Sequence, residues 1–195
     1  TIEDLLNDFI SSYNLIYGGI SSMSMGAANG EGSGPLSGDS LARQIQRKIR
    51  SFTSQSIAGY EDGPYTMSLL GVQTQRDGTL ALNTTILKNT FEKQPKVVDA
   101  VFKNQLASDT AEISITAIGT STKPGTFAIS KSGSDYLVDG ASMTLSDGIY
   151  SSTSGDSTGL KLQISDTSIT SANIFYGKSL MTSVEEELTN ILAFD

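Results

Sequence analysis

The stretch "YTMSLLGVQTQRDGTLALNTTILKNTF", Tyr65 to Phe91, spells out a strand, a turn, a strand and a helix in unbroken order. Hydrophobic residues alternate on both sides of Asp77-Gly78, and an Asp-Gly pair in that setting predicts a hairpin because Gly accepts the positive φ that tight turns need. Asn83 then stands where a helix N-cap belongs, with Ile86, Leu87 and Phe91 on one face behind it. None of these residues carries chemistry, so the segment reads as a structural joint.

Working outward, "TIEDLLNDFISSYNLIY" sets Ile2, Leu5, Leu6, Phe9, Tyr13 and Ile16 at helical spacing, with Glu3 and Asp4 at the positive end of the dipole. The opening on Thr1 inside a helical pattern reads as the start of a fragment or processed product. "MGAANGEGSGPLSGD", Met25 to Asp39, is a Gly-rich loop expected to be mobile or to wrap a corner. Asp39 or Ser40 caps a second helix whose apolar stripe is Leu41, Ile45, Ile49 and Phe52. Its basic run, Arg43 to Arg50, falls on the other side as a solvated or subunit-facing surface.

Downstream of the hairpin, "KQPKVVDAVFKNQL" predicts a short helix with Pro95 at its first position and Val98, Val101 and Phe102 on one side. From about Ser108 the composition shifts to Ser, Thr, Gly and Asp. The alternating runs "EISITAI", "TFAISK", "YLVDG", "MTLSDG", "LKLQIS" and "ITSANIFY" predict an antiparallel β module. "KSLMTSVEEELTNILAF" returns to helix, with Leu180, Val184, Leu188 and Ile191 on one face. The expected class is α+β: a helical region with a β-hairpin at about 68–83 within 1–107, an inserted antiparallel β module at 108–178, and a returning helix at 179–195 packed on the first region.

Composition limits the chemistry. The formal net charge is −8 over 195 residues, which opposes a nucleic-acid partner. No run approaches the ~20 apolar residues needed to span a bilayer. The chain has no Cys, His or Trp, so thiolate nucleophiles, imidazole bases and the usual zinc sites have no source. "GDSTG", Gly155 to Gly159, formally fits a nucleophile elbow around Ser157, but a strand pattern follows it where a helix is needed; it reads as a turn. "ANIFYGKS", Ala172 to Ser179, ends like a phosphate loop but has Phe175 and Tyr176 where backbone amides must curl, so it reads as strand-to-helix punctuation with Ser179 as N-cap. Asp135, Asp139, Asp147 and Asp156 have neither EF-hand nor glycine-aspartate repeat spacing and read as turn residues. Asn83-Thr84-Thr85 matches a glycosylation acceptor, but the cap explains Asn83. No enzyme activity, cofactor or metal is expected.

Three features come in one order: "GPLSGD" opening a helix, "LLGVQTQRDGTLALN" as a hairpin leading into a helix, and "QPKVVDAVF". Together they resemble the C-terminal part of the bacterial flagellar filament-capping family, also called flagellar hook-associated protein 2, over roughly Thr1 to Lys103 and again from Ser179 to Phe194. Gly34, Pro35, Leu36, Gly38 and Asp39 match the family's loop before the second helix; Asp77, Gly78 and Leu80 match its hairpin turn; Pro95, Val98 and Phe102 match its closing helix. The resemblance implies a leg-and-head fragment lacking the terminal coiled-coil helices, with departure after Phe102. It implies a secreted, extracellular structural protein of the flagellar tip. Its implied partners are further copies of itself in a ring, flagellin subunits and an export chaperone, with no nucleic acid and no membrane insertion. The alternative is an adhesin-type module whose Tyr136, Tyr150 and Tyr176 stack on glycans.

Overall fold

The computed structural model describes residues 1–26 and 32–192, with the side chains at 187, 188 and 190–192 left aside. The chain forms two compact units and is α+β as expected. One comprises Thr1–Ser56, Thr66–Val97 and Glu186–Asp195; the other comprises Ile57–Tyr65 and Val98–Glu185.

The first unit opens with helix α1 (Ile2–Ser24), whose Thr1 and Asp4 form a reciprocal capping box. Its buried face is Leu6, Ile10, Tyr13 and Tyr17. The expected stripe is therefore rotated: Leu5 is 53% exposed and Ile16 48%, although both share the apolar periodicity. Helix α2 (Ser40–Ser54) is capped by Asp39, which accepts the amides of Leu41 and Ala42 at 2.7 and 3.1 Å. It buries Ala42, Ile49 and Phe52 and leaves Leu41 exposed.

Met67–Leu70 is a 3-10 turn, so the hairpin itself is β1 (Val72–Thr74) antiparallel to β2 (Leu80–Leu82). Asn83 accepts the amides of Thr85 and Ile86 and starts α3 (Thr84–Lys93), which buries Leu87 while Phe91 is exposed. Helix α4 (Val97–Phe102) begins two residues after Pro95. Pro95 sits instead in a turn closed by the Val97 amide on the Gln94 carbonyl, where its fixed φ suits the second turn position. Val97, Ala100 and Val101 are buried; Val98 and Phe102 are half-buried.

The second unit contains the β sandwich. After α4 the chain becomes β3 (Gln105–Ser108), where the sequence pattern extends the helix; pairing with β11 (Ser171–Gly177) takes those residues. The remaining strands are β4 (Ile113–Ala117), β5 (Gly125–Ser132), β6 (Asp135–Val138), β7 (Ala141–Ser142), β8 (Thr144–Ser146), β9 (Ile149–Ser151) and β10 (Lys161–Ile164). One sheet runs β3-β11-β5-β6-β7 and the other β4-β10-β9-β8, with every pairing antiparallel. The edge strands β3 and β4 are consecutive in sequence, as are β7 and β8, so the chain steps between sheets at both edges. Phe127, Ile129, Val138 and Ile174 from one sheet meet Ile113, Tyr150, Leu162 and Ile164 from the other in a single core.

Segment Ile57–Tyr65 belongs to this unit through reciprocal close approaches. A Cβ on Gly177 would stand 2.5 Å from the Tyr60 ring, and one on Gly59 would stand 2.7 Å from the Gly177 nitrogen. Tyr60 donates its hydroxyl to the Lys103 carbonyl at 2.6 Å. Helix α5 (Leu180–Leu192) is capped by Ser179, whose Oγ accepts the Thr182 amide at 3.2 Å. Leu180 is buried and Val184 half-buried, while the side chains of Leu188 and Ile191 lie outside the described residues.

Candidate functional site

The hairpin is held to α1 by three side chains. Asn14 donates Nδ2 to the Leu80 carbonyl at 2.9 Å and accepts the Leu80 amide on Oδ1 at 2.7 Å, occupying the outer edge of β2 as another strand would. Tyr13 donates its hydroxyl to the Gly78 carbonyl at 3.3 Å, and its ring stacks on Tyr17 with centroids 5.7 Å apart. Burial pushes the Tyr13 phenol above its ordinary range, with the charge of the ionising Tyr17 phenol adding to the rise and Arg50 opposing it.

Gly78 is required twice over. Its φ is +88°, and an added Cβ would lie 2.5 Å from Tyr17 Cζ, inside the ring's van der Waals envelope. Asp77 beside it accepts the Thr79 hydroxyl and amide at 2.6 and 2.9 Å, which holds its carboxyl below the usual range. Leu80 is buried between these contacts.

The loop before α2 closes over the end of α1. The Gly34 amide donates to the Met25 carbonyl and the Leu36 amide to the Met23 carbonyl, both at 2.8 Å. Pro35 and Leu36 occupy the middle of a turn from Gly34 to Ser37, and Gly38 precedes the cap Asp39. A Cβ on Gly34 would fall 2.6 Å from the Met23 carbonyl carbon. Replacing Gly34 by Ala therefore disturbs this packing, whereas Gly38, with open space around it, is set by its φ of +82°. Residues 27–31 of the loop lie outside the described residues.

The matched motif residues thus divide by unit. Gly34, Pro35, Leu36, Gly38, Asp39, Asp77, Gly78, Leu80 and Pro95 lie in the first and Val98 and Phe102 in the second. Asn14 and Tyr17 carry no reactive group and lie in none of the matched motifs; the one signal for Asn14 is a polar residue four after Ile10 and three before Tyr17, both of which are buried.

Against family models, the chain matches the flagellar hook-associated protein 2 C-terminus over residues 1–190. The chain belongs to this family. The match runs through the β sandwich as well, so the stretch after Phe102, expected to depart from the family pattern, lies inside it. No curated protein and no solved structure matches the chain. Family membership associates the chain with the flagellum and the filament cap. No helix among the described residues is long and apolar enough to cross a membrane.

Ser157 is 3% exposed in the 3-10 turn Gly155–Ser157, sharing a 2.7 Å hydrogen bond with the Ser152 hydroxyl. The residues Ala172 to Gly177 are in β11, and Ser179 caps α5. Asp139 and Asp147 adopt φ of 49° and 52° at hairpin turns, and Asp156 pairs with Lys123 at 2.7 Å. Of the tyrosines expected to offer stacking faces, Tyr136 and Tyr150 pack edge to face inside the sandwich core, and Tyr176 is half-buried against it. Such faces are turned to their own core.

Proposed function

We propose that this chain is a structural subunit of the flagellar filament cap, that copies associate into a homo-oligomeric ring at the distal, extracellular tip, and that the ring promotes folding and insertion of flagellin. The observation supporting association is on α1. Leu5, Phe9, Ile16 and Met23 follow a coiled-coil-like spacing beside the buried face; Phe9 is half-buried against Tyr13, and Leu5, Ile16 and Met23 are 53%, 48% and 41% exposed. An unused apolar seam on a helix whose other face is already packed is what a subunit contact requires. The contact is small and therefore weak on its own, as a cap that shifts with each incoming subunit needs.

Gold-tagged antibody raised against this chain, followed along flagella by electron microscopy, tests the reading. Gold confined to distal tips supports it. Gold along filament shafts or on the cell body overturns it in favour of a filament subunit or a surface adhesin.

A further inference from the structure

The ribbon β1–β2 has two outer edges, and among the described residues Asn14 closes the one on β2. In an antiparallel pair, bonded residues alternate with residues whose backbone groups face outward. The Gln75 amide bonds the Thr79 carbonyl at 2.7 Å, so Thr74, one residue before Gln75, directs its N–H and C=O away from β2. The same alternation turns Leu80 outward on the other strand, and there Asn14 takes both groups. Among the described residues, none takes the outward N–H and C=O of Thr74.

Thr74 opens onto a groove of about 400 Å³ whose other wall is the last turns of α2, through Arg47, Arg50, Ser51, Thr53 and Ser54. The three hydroxyls already donate to helix carbonyls: Ser51 to Lys48 at 2.6 Å, Thr53 to Arg50 at 2.9 Å and Ser54 to Ser51 at 3.2 Å. Their oxygens are left as acceptors, and the charged residues among those lining the groove are Arg47 and Arg50, beside the outward edge of Thr74. Among the described residues, neither Arg47 nor Arg50 forms an ion pair, in a chain whose net charge is −8.

We propose that this groove binds an extended acidic polypeptide segment, which adds to β1 as a third strand and sets carboxylates on Arg47 and Arg50. Strand addition supplies backbone hydrogen bonds to Thr74, and guanidinium groups bind carboxylates in a planar, two-point geometry. Each chemistry alone fits other ligands, but the two together narrow the class. A nucleic acid has no peptide amide for the Thr74 carbonyl and is repelled by the chain's charge. A small anion would satisfy the arginines and leave the strand edge open. The inference stands apart from the cap reading, because it needs only the geometry of the first unit.

The test uses the full 195-residue chain and a fluorescent decapeptide alternating threonine and glutamate, with the threonine–lysine counterpart as control. Anisotropy should show salt-sensitive binding of the acidic peptide alone, weakened about tenfold or more by Arg47→Glu with Arg50→Glu. Both arginines are exposed, and an unchanged circular dichroism spectrum verifies that the double variant is folded. Hydrogen exchange at the Thr74 amide should slow on binding, and an N-methylated peptide should bind at least about tenfold more weakly. Equal binding of the lysine peptide, equal binding to the charge-reversed variant, or no binding up to about 1 mM overturns the proposal. Full-strength binding of the N-methylated peptide also overturns it, by reducing the contact to charge alone.

Discussion

Replacing Asn14 by Ala removes two hydrogen bonds at once, those to the Leu80 amide and the Leu80 carbonyl. Both backbone groups sit next to a leucine side chain that is 3% exposed, so water reaches them poorly. At roughly 1 kcal/mol per bond, with part of the desolvation cost of each orphaned group recovered by solvent, the change should destabilise the first unit by about 2 kcal/mol. With a urea slope near 2 kcal/mol/M, the unfolding midpoint should fall by about 1 M. Circular dichroism at the helix wavelength is the appropriate readout, since the chain has no Trp and α1, α2 and α3 lie wholly in this unit.

Asn14→Asp separates lost contact from lost geometry. The introduced carboxylate still accepts the Leu80 amide, but its other oxygen faces the Leu80 carbonyl, where only a donor is tolerated. Protonation supplies that donor, so folding should raise the carboxyl's pKa above its unfolded value of about 3.9. The sign follows: the folded state binds the extra proton, so the restored stability is fully present below about pH 3.9 and is lost as pH rises through the folded pKa. Measured as a difference from Asn14→Ala at each pH, which cancels the titration of the chain's own acids, the Asp variant should gain on acidification. A midpoint loss under about 0.3 M for Asn14→Ala, or a pH-independent difference between the two variants, would refute the strand-edge role.

Further outcomes follow from the same contacts. Gly177→Ala should lower the stability of the sandwich unit by about 2 kcal/mol or more, read from thermal melts, because the new methyl meets the Tyr60 ring. Gly18→Ala, with open space around it on α1, should instead stabilise the first unit by about 0.5–1 kcal/mol. Tyr60 is pushed up to about 12, mainly by burial and secondarily by Asp99. A spectrophotometric tyrosine titration should lose a phase near pH 12 in Tyr60→Phe, and the stability that this phenol confers is complete below about pH 10 and lost as pH rises through about 12. Ser157→Ala removes the 2.7 Å bond to the buried Ser152 hydroxyl, which keeps only a 3.3 Å bond to the Ser154 carbonyl, and should cost about 1 kcal/mol in denaturant unfolding.

What could be read in advance was what neighbouring residues determine. The turn at Asp77-Gly78 and the caps Asp39, Asn83 and Ser179 are local arrangements, each completed within three residues of chain. The buried face of α1 was not legible for a physical reason: the helix carries two apolar seams, and periodicity shows that seams exist without saying which one meets the core. Leu6, Ile10, Tyr13 and Tyr17 win because Tyr13 and Tyr17 close on the hairpin at Gly78. Strands β7 and β9 are too short to show alternation, and β3 follows α4 so closely that its residues extend a helical pattern. The docking of Ile57–Tyr65 depends on Gly59 and Gly177 meeting across a long span of chain. From sequence each glycine looks like an ordinary turn.

A two-stranded hairpin is marginal in water and needs a third element to persist. Asn14, Tyr13 and Tyr17 provide that support wholly from the β2 side and the turn, so the order of β1 does not depend on anything in the groove beside it. An open edge that is already rigid loses little conformational entropy when a strand is added, which favours binding by a short segment. Loosening the β2 side should accordingly weaken the acidic peptide as well as the fold. Asn14→Ala, studied below its unfolding midpoint, should therefore bind the threonine–glutamate decapeptide several-fold less tightly although Asn14 lies outside the groove, and unchanged affinity would show that the edge is ordered by some other contact.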